Sequence, residues 1–97
     1  MAPLSEEQVR QGLAGLSGWS YGENAISKRY TFPGFPDAVK FVNRVADLAE
    51  GMNHHPDITI NYNAVLLTLS THSEGGVTDK DLALARQIEE AAEREAR

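Results

Sequence analysis

The sequence predicts an α+β fold: three helices and four strands in the order α-β-β-α-β-β-α, with a mostly antiparallel sheet covered by helices on one face. Three observations predict it. Two long segments repeat apolar residues at helical spacing. Two pairs of short alternating segments are each divided by a compact turn, which makes consecutive hairpins. No repeat and no long linker interrupts them, so the 97 residues are expected to form one domain, 1–97.

The elements follow in order. Ser5-Glu6-Glu7-Gln8 is a capping-box pattern, and Val9, Leu13 and Leu16 follow at helical spacing. A helix over roughly 6 to 15 is expected, closing near Gly15 or Gly18. Trp19–Tyr21 and Ala25–Phe32 read as strands around Gly22-Glu23-Asn24, with Ile26, Lys28, Tyr30 and Phe32 on one face. Trp19 reads as a core or interface anchor rather than a ligand-stacking ring, because an aromatic of this size works mainly by burial. Pro33-Gly34-Phe35-Pro36 ends the second strand. A helix from about Asp37 to Met52 then carries Ala38, Phe41, Val42, Val45, Leu48, Ala49 and Met52 on one stripe.

Asp57–Tyr62 alternates with Ile58, Ile60 and Tyr62 on one face; Val65–Thr71 does the same with Val65, Leu67 and Leu69. A turn at Asn63-Ala64 pairs 62 with 65, 60 with 67 and 58 with 69, which gathers the apolar side chains on one face. Ser73–Gly76 is a loop. Thr78 caps a last helix over about Asp79 to Ala96, with Leu82, Ala85, Ile88 and Ala92 buried.

Composition narrows the function. Net charge is −5 and the nine basic residues are scattered, which argues against direct nucleic-acid binding. There is no cysteine, so disulfides, thiolate catalysis and cysteine-ligated zinc are excluded. The N-terminal run lacks a basic start and an apolar h-region. No apolar run approaches the roughly 18 residues of a membrane span. A cytoplasmic protein with no membrane partner is the expectation.

The three histidines are the chemically informative residues. The hairpin register, continued outward, brings Thr71 near Pro56 and His72 near His55. All three imidazoles then gather at one hairpin end, where Pro56 breaks the ladder. Glu50 lies one helical turn before His54 and shares its face if the helix persists that far. Asp81 follows the Gly75-Gly76 loop and can fold back to the same place. Taken singly, these residues read as surface histidines and a capping acid; the convergence of five argues against that. A metal site fits the residue types, but adjacent His54 and His55 point apart in extended chain and the usual His-x-His spacing is absent. Metal-free acid–base chemistry suits imidazoles titrating near neutrality. No cysteine nucleophile, Gly-x-Ser-x-Gly or phosphate-cradling loop competes with it.

Glu50-x-x-x-His54-His55-Pro56, then Tyr62, His72 and Asp81 at their spacings, resembles the signature of the pterin-4a-carbinolamine dehydratase family. The similarity spans nearly the whole chain. Leu13-x-x-Leu16-x-x-Trp19 resembles that family's first helix and strand, and Phe32 through Glu50 its long helix. Ser70-Thr71-His72 and Asp81-Leu82-x-Leu84-Ala85 also fit. One position departs: many members carry an acid and then an aromatic after the proline, and here the pair is Asp57-Ile58.

The resemblance implies a four-stranded antiparallel sheet with helices on one face, assembled into homodimers that join sheets or into homotetramers. It implies dehydration of a 4a-hydroxytetrahydropterin to quinonoid dihydropterin, without metal or organic cofactor, in recycling the pterin of an aromatic amino acid hydroxylase. Within that implication His54, His55, His72 and Asp81 are the catalytic candidates. His54 and His72 carry acid–base work in an unassigned order, and His55 positions substrate. Glu50, Asn53, His54, His55, Pro56, Ser70, Thr71 and His72 are the substrate-binding candidates, and Glu50 and Asp81 orient imidazoles or bind pterin nitrogens. The rival implication is a non-catalytic dimerisation or assembly factor for another protein on the same fold.

Overall fold

A computed structural model describes residues 2–95. In chain order it contains α1 (Glu6–Gly12), β1 (Ser20–Gly22), β2 (Ala25–Thr31), α2 (Phe35–Met52), β3 (Asp57–Asn61), β4 (Ala64–Leu69), a 3₁₀ turn (His72–Glu74) and α3 (Asp79–Glu95). The fold is α+β in the expected order. Its four strands form one antiparallel sheet in the order β1-β2-β4-β3. Ala96, the expected end of the last helix, lies outside the described residues.

The first helix is shorter than its sequence suggests. The capping box forms in full: Ser5 Oγ accepts from Gln8 N–H at 3.2 Å, and the Gln8 side chain accepts from Ser5 N–H at 2.9 Å. The helix stops at Gly12, and a Cβ there would stand 2.5 Å from Leu82 Cδ1. Glycine at this point therefore lets α1 approach α3.

The helices cover the sheet face that carries Ile26, Tyr30, Val65, Leu67 and Leu69, all buried. Phe41 of α2 is the hub beneath them, with ring centroids 4.9 Å from Tyr30 and 5.0 Å from Phe32. From α3, Leu84, Ala85 and Ile88 close the layer at 0% exposure. Helix α2 starts at Phe35, two residues before the expected Asp37. Pro36 sits in the first turn, where no intrahelical N–H is needed, so it begins the helix rather than preceding it. Among the described residues no helix is long and apolar enough to cross a membrane.

The β3–β4 hairpin corrects the expected register. Asn61 pairs with Ala64, Ile60 with Val65 and Ile58 with Leu67, so the turn is Tyr62-Asn63 rather than Asn63-Ala64. The reason lies in the neighbouring strand. Asn63 O accepts from Phe32 N–H at 2.9 Å, and the Asn63 amide donates to Phe32 O at 2.9 Å. This double bond to the end of β2 holds Asn63 at the tip, and Tyr62 takes the left-handed turn position with φ 55°. A two-residue shift keeps each side chain on its face but changes every partner. Tyr62 consequently leaves the apolar row and is 66% exposed. Strand β3 is the sheet edge beyond the helices, and Ile58 and Ile60 stay 37% and 39% exposed.

Candidate active site

Helix α2 ends by a left-handed residue. Asn53 takes φ 50°, its N–H reaches Ala49 O and Glu50 O, and His54 N–H bonds Ala49 O at 3.0 Å. Asparagine tolerates this conformation, and it closes the helix by capping its free carbonyls. The chain turns away at Asn53, so His54 does not continue the helical face of Glu50. The expected Glu50–His54 neighbourhood is replaced by another pairing. Glu50 accepts from His55 Nε2 at 2.5 Å, on the exposed side. His54 turns inward and meets Asp81 at 2.5 Å through Nε2.

Asp81 is wholly buried at 0% exposure and is fully engaged. Its Oδ1 faces His54, while Oδ2 accepts from Thr71 Oγ1 at 2.8 Å and from Thr78 N–H at 2.9 Å. An ionised carboxylate only accepts, so the bond to His54 puts that ring's proton on Nε2 and leaves Nδ1 for other work. The threonine hydroxyls extend the chain. Thr71 and Thr78 Oγ1 atoms are 2.8 Å apart. Thr71 has one hydroxyl proton and gives it to Asp81, so Thr78 donates to Thr71. Thr78 Oγ1 in turn accepts from Lys80 N–H at 3.3 Å, as a helix N-cap does. Donated bonds thus converge on Asp81 from two sides, from the first turn of α3 through the two threonine hydroxyls and from the imidazole of His54.

His72 arrives by a different device. Thr71 and Gly76 bridge across the loop, with Thr71 N–H on Gly76 O at 2.9 Å. The residues between them bulge out as the 3₁₀ turn, closed by Gly75 at φ 79°. His72 opens that turn instead of extending β4, so the expectation of His72 opposite His55 gives way. Along the line of the observed register, His55 stands opposite Ser70 and His54 opposite Thr71. Among the described residues the His72 imidazole has no hydrogen-bond partner.

A cavity of about 320 Å³ joins these groups. Asn53, His54, His55, Ser70, Thr71 and His72 line it together with Ser73 and Lys80. Glu50 reaches it only through His55, Asp81 lies behind His54, and Pro56 is not part of its wall. Ile58, standing where an aromatic is usual, faces the edge of the helix side of the sheet and lines no part of it. Ser73 and Lys80 were not singled out in the sequence, although Lys80 adjoins Asp81 in the first turn of α3 and so falls beside anything Asp81 approaches. Among the described residues no set of three His, Asp or Glu side chains could hold a metal ion.

A second polar cluster was not anticipated. Glu89 on α3 accepts from Tyr30 Oη at 2.5 Å, Lys28 Nζ at 2.9 Å and Trp19 Nε1 at 3.2 Å. Burial by itself would raise the Glu89 carboxyl; the bonds from Tyr30, Lys28 and Trp19 outweigh it and hold its pKa below the ordinary carboxylate value. Burial, then Glu89 as hydrogen-bond partner and as charge, raises the Tyr30 phenol well above its usual range. Trp19 is 8% exposed, a core anchor with its N–H satisfied. None of these side chains lines the histidine cavity. The sequence carried a signal for Glu89, which follows buried Ile88 and lies three before buried Ala92, on the inward stripe of α3.

Known proteins resemble this chain along most of its length. Residues 2–91 match the family model described as pterin 4 alpha carbinolamine dehydratase. A relative from Sulfurisphaera tokodaii, provisionally named a pterin-4-alpha-carbinolamine dehydratase, is 46% identical over 93% of this chain and 97% of its own. One from Mycobacteroides abscessus, named likewise, is 48% identical over 92% of this chain and 95% of its own. A solved structure described as a transcriptional coactivator/pterin dehydratase from Brucella melitensis superposes with TM-score 0.89 at 38% identity, covering 93% and 98% of the two chains. A pterin dehydratase-like protein described as a RuBisCO assembly factor shares the fold at 21% identity, with TM-score 0.64 over 76% and 86% of the two chains.

Proposed function

The chain belongs to the pterin 4 alpha carbinolamine dehydratase family, and from that premise we propose that it dehydrates a 4a-hydroxytetrahydropterin to quinonoid dihydropterin. The observation that carries this reading is the cavity that holds all three imidazoles, with one of them fixed in tautomer by the buried Asp81. The reaction breaks the bond from C4a to its hydroxyl and removes the N5 proton, forming the C4a=N5 double bond and water. Neutral His54, with its Nε2 proton committed to Asp81, offers the Nδ1 lone pair to the N5 proton. Protonated His72, held by no other side chain, gives its proton to the departing hydroxyl. Solvent then returns His54 to its neutral form and reprotonates His72. His55, steadied by Glu50, binds the ring edge with Asn53, Ser70 and Thr71, and Pro56 fixes the approach of the chain. On this reading the product feeds a reductase that recycles the pterin of an aromatic amino acid hydroxylase in the cytoplasm.

The test is direct. Protein added to freshly generated 4a-hydroxytetrahydropterin should accelerate the ultraviolet change that accompanies dehydration. His54→Ala combined with His72→Ala should remove most of that acceleration, about 10²–10⁴ for each acid–base group. No acceleration by the unmodified protein would sink the enzyme reading, and full activity in the double variant would sink the assignment of roles.

The exposed Ile58 and Ile60 on edge strand β3 support association with a second copy by edge pairing, giving a dimer or a tetramer of dimers. The same exposed edge is the observation that favours a second reading, a protein-binding or assembly role on this fold. Stoichiometric capture by one partner that persists in the double histidine variant would separate that role from catalysis.

A further inference from the structure

The hydrogen bonds of the histidine cavity leave one strong donor unused. Thr71 gives its hydroxyl proton to Asp81, and Ser70 gives its own to Asn24 O at 2.8 Å. The Nε2 protons of His54 and His55 go to Asp81 and Glu50. Asn53 and Ser73 each carry an acceptor beside a donor. Lys80 is unlike them all. It brings three donors, no acceptor and a fixed positive charge, and no other Lys or Arg lines the cavity. Among the described residues its ammonium has no hydrogen-bond or ion-pair partner. Its backbone is nonetheless held in place. Lys80 N–H bonds Thr78 Oγ1 at 3.3 Å in the first turn of α3, and the next residue is the Asp81 that orients His54.

The chemistry of the ring identifies the atom that such a donor meets. A 4a-hydroxytetrahydropterin presents three neighbouring groups at its reacting edge: the N5 proton, the C4a hydroxyl, and the carbonyl oxygen on C4, the carbon beside C4a. His54 takes the first and His72 acts on the second. The carbonyl oxygen only accepts, so a group that only donates matches it, and a carboxylate or an imidazole lone pair does not. Lys80 shares the cavity wall with both imidazoles and completes that edge. Substrate and product both carry the carbonyl. The contact therefore serves binding and placement of the ring rather than the bond-breaking step.

We infer that Lys80 holds the C4 carbonyl of the pterin and makes the site select 4-oxo rings over 4-amino rings. The inference rests on the dehydratase reading and adds to it a substrate-binding residue that determines specificity. An amino group at C4 would meet the ammonium as donor against donor, so the same contact that fixes the oxo ring disfavours the amino one.

The experiment titrates two unreactive dihydropteridines with the same C6 substituent, one 2-amino-4-oxo and one 2,4-diamino, against the unmodified protein, Lys80→Met and Lys80→Arg. Turnover of the 4-oxo carbinolamine is measured alongside. The unmodified protein should bind the oxo ring about tenfold tighter than the diamino ring, the low end for a hydrogen bond to a charged group. Lys80→Met should lose about that factor for the oxo ring alone, and KM should rise while kcat stays. Lys80→Arg should restore most of the preference, because it keeps the charge and the donors. The Lys80 side chain bonds nothing else among the described residues, so Lys80→Met should unfold in urea with the unmodified protein. An equal loss for both rings, or a fall in kcat at unchanged KM, would overturn the role of Lys80 and leave the dehydratase reading intact. Failure of the unmodified protein to bind the oxo ring and to accelerate dehydration would overturn both.

Discussion

Asp81 is a buried carboxylate whose three bonds decide what His54 can do. His54 takes Oδ1, Thr71 and Thr78 take Oδ2, and no lone pair faces solvent. Asp81→Asn offers Nε2 an amide that donates as readily as it accepts, so the imidazole loses its imposed tautomer. The expected outcome is a fall in kcat of at least about 10²-fold, less than or comparable to the loss seen when the orienting carboxylate of a catalytic triad becomes an amide. The nitrogen-15 spectrum of His54 should show the proton moving between ring nitrogens, which a merely destabilised fold would not produce. Thr78→Val removes the donor to Thr71 and the N-cap together and should cost about 1 kcal/mol in urea unfolding. The roles of these residues were only half legible in sequence. Asp81 could be seen as a candidate because it follows a Gly-Gly loop at the start of a helix. That it serves His54, while Glu50 serves His55, depends on where α2 stops. The left-handed Asn53 made that decision, and the i, i+4 spacing of Glu50 and His54 pointed the other way.

At the scale of elements, local pattern identified every helix and strand: most have one face against a common core and one toward water, while β3, exposed along its length, was marked by its alternation and the turn beside it. The ends were decided by contacts the pattern does not contain. Pro36 extended α2 backward, Leu82 packed against Gly12 where α1 stops, and Asn63 shifted a hairpin by two residues. Asn63→Ala tests the last of these. It removes the side-chain bond to Phe32 O, and about 1 kcal/mol of stability should go with it. Hydrogen exchange should quicken at the β3–β4 tip before it quickens in α2. Unchanged stability and exchange would mean that the backbone pair between Asn63 and Phe32 alone holds the register.

For the whole molecule, two polar centres bind α3 to the rest: Asp81 at its first turn and Glu89 two turns further on. Glu89 makes stability depend on pH with a definite sign. Its folded pKa is depressed, so its contribution is present above the unfolded carboxylate pKa and is lost as pH falls through the lower folded value. Tyr30 has the opposite sense. Its folded pKa is raised, so its contribution holds below the ordinary phenol range and fades at higher pH. Glu89→Gln should remove the part of the acid-side decline that belongs to this group and should cost about 1.5–3 kcal/mol at neutral pH, the range for hydrogen bonds to a charged group. Thermal melts from neutral pH down to pH values below the ordinary carboxylate range would show both effects. Association is tested at the same scale: Ile60→Lys on the exposed edge should shift sedimentation toward the monomer without lowering the melting temperature of the protomer core.

What the amino-acid sequence determined by itself is the α+β order, the buried faces and the set of residues able to do acid–base chemistry. These follow from local composition: a side chain's polarity and its place in a period of two or 3.6 are properties of a short segment. What only the tertiary structure decided is who meets whom. The hairpin register, the exchange of carboxylate partners between His54 and His55, the 3₁₀ turn that presents His72 and the convergence on Glu89 all join residues distant in the chain. Each is settled by a few hydrogen bonds whose partners are chosen by packing. Local pattern could narrow those choices to one end of one hairpin, and the packed core selected among them.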